Sequence, residues 1–211
     1  LADALDRLLP PPHVARRLGL GHGAHIRNQT PDFNLEIAKS DITPADIEML
    51  TRELNLKETT PTTLDALWSD FHSGWFSAFM EMKVGATVTD EDGKRYPAPD
   101  SVAAWAQKAG VNQMAAEGLH SKLGRLFNTA YIVEKPAADS IGEIIKALEA
   151  GKHVVLSFGK YESDLDYLLV SNLLTRRIRE AWEKRTNEFR SRGEKAPRPL
   201  VIAVEEAHKL L

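Results

Sequence analysis

The 211 residues are enough for one or two domains, and 43% hydrophobic with 27% charged residues marks a globular chain with ample core material, which excludes a disordered one. A net charge of −3 excludes a global bias towards nucleic acid or anionic membrane, and the absence of cysteine excludes disulfides, a cysteine nucleophile and thiolate metal sites. No apolar run approaches the ~18–20 residues of a membrane span, and no basic-then-apolar leader opens the chain; with zero cysteine this predicts a cytoplasmic protein.

Residues 1–9 read as the tail of a helix stopped by Pro10-Pro11-Pro12. His13 to Leu18 reads as another short helix, ended by the glycine-rich Gly19-Leu20-Gly21-His22-Gly23. Strands are expected near 24–28 and 33–38. A helix start is well signalled at Thr43-Pro44-Ala45-Asp46, with a cap, a proline at the first helical position and an acid in the first turn. A second start at Thr60-Pro61 leads into a long helix in which Leu64, Leu67, Trp68, Phe71, Trp75, Phe76 and Phe79 recur at helical spacing. Trp68, Trp75 and Phe79 are expected in the core and not on a base-stacking platform.

A hairpin turning at Asp92-Gly93 is expected between Ala86 and Pro97, then helices near 100–109 and 112–128 with Gly110 as the C-terminal cap between them. The texture changes after that. Ser140 to Ala150 reads as an amphipathic helix closed by Gly151, and 153–158 as a strand apolar on both faces. Asp164 opens a long helix, and a polar linker with Gly193, Pro197 and Pro199 follows it. Leu200 to Val204 reads as a second fully apolar strand. Strand, helix, strand with burial on both faces is the pattern of a parallel α/β sheet covered by helices. The expected organisation is therefore 1–42 as core and connection, 43–130 as a helical insertion with a small hairpin, and 131–211 as a β-α-β unit.

The run Val201-Ile202-Ala203-Val204-Glu205-Glu206 carries the chemistry. Apolar β-formers ending in two carboxylates make the Walker B pattern of P-loop ATPases. A strand interior to a parallel sheet presents its carboxyl end to ligands. There Glu205 suits holding Mg²⁺, usually through water, because Mg²⁺ keeps much of its hydration shell. Glu206 suits accepting a proton from, or orienting, the water that attacks the γ-phosphate of ATP. Against this stands the bland alternative of a buried strand that merely ends in acids at the sheet edge.

Val-Ile-Ala-Val-Glu-Glu-Ala-His at 201–208 resembles the Walker B segment of HerA-like ATPases in the HerA/FtsK superfamily. The stretch from Gly151 to Gly159 is similar to the preceding strand of that family, and Tyr167 to Arg177 to the helix between. The resemblance covers about 140–211; over 33–130 it rests only on a helical insertion. It implies an α/β fold: a partial P-loop (RecA/FtsK-like) parallel sheet core with a mostly α-helical insertion. It further implies a hexamer that couples hydrolysis of Mg²⁺·ATP to movement on DNA, often beside a NurA-type nuclease. On the matching positions, Glu205 and His208 would contact the cofactor, Glu205 would hold the metal and Glu206 would be catalytic. Many family members carry Asp where this chain has Glu205. No G-x-x-x-x-G-K-[ST] occurs in the chain; its nearest fragment, Gly159-Lys160-Tyr161, lacks the upstream glycine and the hydroxyl. The chain therefore reads as an excerpt whose phosphate loop precedes Leu1, inactive as an ATPase by itself.

Two other readings remain open: a DEAH-like helicase segment, suggested by Glu-Ala-His but opposed by the long stretch before Glu205, and a helical partner-binding module on an α/β scaffold. Lesser signals are weaker. Glu205-x-x-His208 matches one half of a di-iron motif but occurs once and after a strand. His22-x-x-His25 lacks further ligands, Gly19-x-Gly21-x-Gly23 is not a dinucleotide fingerprint, and Ser157 has no nucleophile context. Residues 176–198 carry nine Lys or Arg against four Glu, a net of +5. That marks either a DNA- or subunit-facing surface or, more simply, a solvated helix with i,i+4 Glu–Arg pairs.

Overall fold

The computed structural model describes residues 15–20, 30–161, 163–193 and 196–204. The expected helix at 1–9 and strand at 24–28 lie outside the described residues. In chain order the elements are β1 (Ala15–Leu20), β2 (Phe33–Leu35), β3 (Ile37–Ala38), α1 (Pro44–Glu48), α2 (Thr60–Phe71), α3 (Trp75–Glu81), β4 (Thr87–Thr89), β5 (Arg95–Pro97), α4 (Val102–Ala109), α5 (Gln113–Phe127), β6 (Ile132–Val133), α6 (Ser140–Glu149), β7 (His153–Ser157) and α7 (Asp164–Arg192). The class is mixed α/β. The chain divides into two compact units, one made of residues 1–36 and 136–211 and the other of 37–135.

The first unit is built on a parallel three-stranded sheet in the order β2-β1-β7. Its central strand is Ala-Arg-Arg-Leu-Gly-Leu, where a helix was expected from His13 to Leu18. Two adjacent arginines hide the period-two signal, but Leu18 and Leu20 alternate inwards and are fully buried. Pairing on both sides, Leu18 with Phe33 and with Leu156, then overrides local helix propensity. Arg17, on this central strand, is held by Asp32, whose carboxylate accepts the Arg17 backbone N–H at 2.7 Å.

Helix α6 starts on an Asp139 cap that accepts the Gly142 N–H at 2.9 Å, and it buries Ile141, Ile144 and Ala147. It ends as expected at Gly151, where φ is +76°, a conformation cheap only for glycine. The first half of α7 buries Leu165, Leu168, Leu169, Val170, Leu173 and Leu174, as its all-round apolar pattern requires. At 29 residues α7 is about 43 Å long. Among the described residues no helix is long and apolar enough to cross a membrane.

Two expectations for this unit fail. β7 is half-buried and not covered on both faces, with His153 exposed. Among the described residues it pairs on one edge only. The segment 200–204 is not a strand; it has no regular structure, and Val201, Ile202 and Val204 are 87%, 46% and 39% exposed. Both failures share one cause. Burial on both faces requires a strand interior to a sheet, and the described sheet ends at β7.

The second unit is mostly helical. In α1, the Asp46 carboxylate accepts both the backbone N–H and the hydroxyl of Thr43, at 2.8 and 2.7 Å. The long helix expected from Thr60 breaks at His72–Gly74, where His72 takes φ +49°, so it becomes α2 and α3. The break turns Trp75, Phe76 and Phe79 fully inwards, whereas Trp68 on α2 stays 37% exposed, against the expectation that it is core. Trp75 donates its indole N–H to the Ile42 carbonyl at 2.9 Å, and Phe79 packs edge-on against Trp105. The hairpin β4–β5 forms as expected, its turn held by Asp90, which accepts the N–H of Asp92 and of Lys94, with Gly93 at φ +79°. Gly110 closes α4 in the left-handed conformation. Short strands β3 and β6 pair in parallel, and Lys39 lies 3.5 Å over the Phe127 ring while bonding Glu134 at 3.1 Å.

Trp75→Ala removes both the largest buried side chain of this unit and a buried hydrogen bond. We expect it to destabilise the chain by about 3–5 kcal/mol in urea unfolding. A loss below about 1 kcal/mol would contradict the packing described.

Candidate functional site

Ligands of open parallel sheets bind beyond the carboxyl ends of the strands. In the first unit those ends are Leu20, Leu35 and Ser157. The chain leaves β7 through Phe158, which stacks on Tyr167 of α7 with ring centres 4.9 Å apart. Ser157 Oγ accepts the Gly159 N–H at 3.4 Å, a turn-forming role. The N-terminus of α7 is already served: Ser163 Oγ accepts the Asp166 N–H at 3.1 Å, and Asp164 and Asp166 occupy its first turn. Those acids oppose the helix dipole that would otherwise attract a phosphate. This βα junction is thus no phosphate cradle, in line with the missing loop motif.

Glu205, Glu206 and His208 lie outside the described residues, so the structure does not bring the sequence-predicted site residues together. His22, Gly21, Gly23 and His25 lie outside them too, while Gly19 sits inside β1. The structure does describe how the chain approaches the acidic pair. Gly193 caps α7 in the left-handed conformation. The indole N–H of Trp182 donates to the Arg198 carbonyl at 2.9 Å. The Arg198 guanidinium covers Gly151, so that a Cβ there would run into it. Arg185 of α7 bonds Glu149 at the end of α6 at 2.5 Å. These contacts place the Arg198 guanidinium at the turn between α6 and β7. Sequence reading missed Arg198 and Trp182, because nothing in local composition marks a residue whose role is to meet a glycine 47 positions away; Gly151 itself was legible as a helix stop.

Two of the nine basic residues form the i,i+4 pairs of the simpler alternative. Arg176 pairs with Glu180 at 3.2 Å and Arg179 with Glu183 at 2.7 Å, both i,i+4 along a solvated helix.

A cavity of about 360 Å³ lies under the start of α6, lined by Arg16, Asp32, Asn34, Glu36, Ser140 and Glu143. Ser140 donates to the Asn34 carbonyl at 3.0 Å, and Glu36 accepts the Ala137 N–H at 2.8 Å. Three carboxylates against one guanidinium make it unsuited to an anion. Among the described residues no cluster of His, Asp or Glu is arranged to hold a metal. The Arg17 N–H, and then its guanidinium, hold the Asp32 carboxyl below its ordinary value against the opposing pull of burial.

A depressed folded-state value means that the ionised carboxylate stabilises the fold above its unfolded value of about 3.9, and that this stabilisation is lost as pH falls through the folded value. Asp32→Ala should cost about 1–2 kcal/mol at pH 7, with the gap from the unaltered chain narrowing below about pH 4. Urea titrations at both pH values measure it; a gap independent of pH counts against this pairing.

Comparison of the chain with protein-family models, with curated proteins and with solved structures returns no match.

Proposed function

We propose that this chain is the Walker B part of a HerA-type P-loop ATPase that couples hydrolysis of Mg²⁺·ATP to movement on DNA. One observation carries the reading: four apolar β-formers, Val201 to Val204, run directly into Glu205-Glu206-Ala207-His208. It is supported by the parallel sheet of the first unit and by the order β7, α7, apolar run, which is the order a β-α-β ATPase half requires. On this reading the fold is a partial RecA/FtsK-like core with a helical insertion.

The chemistry divides between the two acids. Glu205 would hold Mg²⁺, which when bound would supply neutralisation of phosphate charge. Glu206 takes the proton of the attacking water or orients it in line with the bond to be broken. On this reading His208 would help link the nucleotide state to a neighbouring loop. The triphosphate cradle comes from a phosphate-binding loop that this chain does not contain. The same reading makes the working form a ring, a hexamer, with DNA as its track and a NurA-type nuclease as a partner.

Glu206→Gln, placed in an ATPase that joins this chain to its phosphate loop, should keep ATP binding and lower turnover by at least ~100-fold, the scale of lost general-base help. Turnover within a few-fold of the unaltered enzyme rules out the catalytic assignment. The chain by itself should show no hydrolysis above the background rate.

A further inference from the structure

We infer that the helical unit, 37–135, carries a binding site for a small phosphomonoester with an apolar body, in the cavity between the start of α2 and one face of α5. The site does not rest on the proposed function, and every residue of this unit is described. The cavity holds about 230 Å³. A cavity of about 150 Å³ admits benzene, so this one has room for a ring or short chain bearing one charged group.

Its lining is of two kinds. Lys57, Thr59, Thr60 and Lys122 bring two positive charges and two hydroxyls, whereas Leu56, Met114, Ala115 and Leu119 bring apolar surface. No acidic side chain lines it. Glu58 and Glu117 are near in sequence but lie outside the lining, and Glu117 accepts a hydrogen bond from Gln113 at 3.0 Å.

Four observations point to an anion. Lys57 has no ion-pair partner among the described residues. Lys122 donates one N–H to the Asn55 carbonyl, which steadies the ammonium and leaves two N–H groups for a ligand. Thr60 is only 7% exposed, yet it lines the cavity and its hydroxyl has no hydrogen-bond partner among the described residues. Buried hydroxyls are normally bonded, and a ligand oxygen would complete this one. Finally, α2 begins with no acid in its first turn and no side-chain bond from its Thr59 cap, so its dipole meets negative charge unopposed.

The chemistry selects a phosphoryl group. Two ammonium groups suit a dianion, and a phosphomonoester carries about −1.5 to −2 charges near pH 7 on three acceptor oxygens. Lysine binds phosphate as a point charge, without the fork that selects a planar carboxylate. The apolar body has space of its own. Met114 is 79% exposed, and a Cβ built on Gly118 meets nothing within 4 Å. A ring lying there would cover Met114, whose thioether makes favourable contacts with aromatic groups.

Phenyl phosphate is the probe, titrated into the unaltered full chain and followed by amide NMR shifts. We expect saturable binding with Kd at or below ~1 mM, and shifts centred on 56–62 and 114–122. Benzoate and inorganic phosphate each lack one half of the recognised chemistry and should bind at least ~10-fold more weakly. Lys57→Gln should weaken binding about 10-fold, the scale of one charge-assisted hydrogen bond. Gly118→Leu fills the cavity from a position with open space, and leucine favours a helix over glycine, so this variant folds and should lose binding altogether. No saturation by ~10 mM phenyl phosphate, or unchanged affinity in Gly118→Leu, overturns the inference. Benzoate binding as tightly as phenyl phosphate overturns the phosphoryl assignment, and inorganic phosphate doing so overturns the apolar one.

Discussion

The parallel pairing of β1 with β7 is the interaction on which the first unit depends. It joins Ala15–Gly19 to His153–Ser157 across 138 positions of sequence, and residues 37–135 fold as their own unit between the two halves. Closing so long a loop costs only slightly more entropy than closing a short one, because the cost grows with the logarithm of length. The ladder and the burial of Leu18 and Leu20 offset it. Take this pairing away and α6 has no sheet to cover.

The same pairing explains which parts of the fold were legible. Local signals read well where local physics decides. Thr43-Pro44-Ala45-Asp46 starts a helix because a carboxylate three residues on reaches back to the cap. Asp92-Gly93 turns a hairpin because glycine takes positive φ, and Gly110 stops a helix for the same reason. The amphipathic α6 and the long α7 follow from 3.6-residue periodicity. β1 was not legible, since Arg16 and Arg17 mask its alternation and its partners are remote. Trp68 and the break at His72–Gly74 were missed because helical spacing is blind to a kink that re-aims half the face.

The candidate site divides along the same line. The acidic pair was visible as a motif, because a metal-bound triphosphate requires carboxylates at a strand end. The way the chain is led there was invisible: Trp182, Arg198 and Gly151 meet only in three dimensions. Expecting 200–204 to be buried assumed a sheet that continues past β7. In the described structure β7 is the margin, and the apolar run is exposed.

Native-state hydrogen exchange of the first unit tests its central pairing most directly. If β1 and β7 form one ladder, the amides of Arg17–Gly19 and Val155–Ser157 open together and share a single opening free energy under mild denaturant. β1 amides that exchange as a loop does, while those near β7 stay protected, would contradict the sheet and everything built upon it.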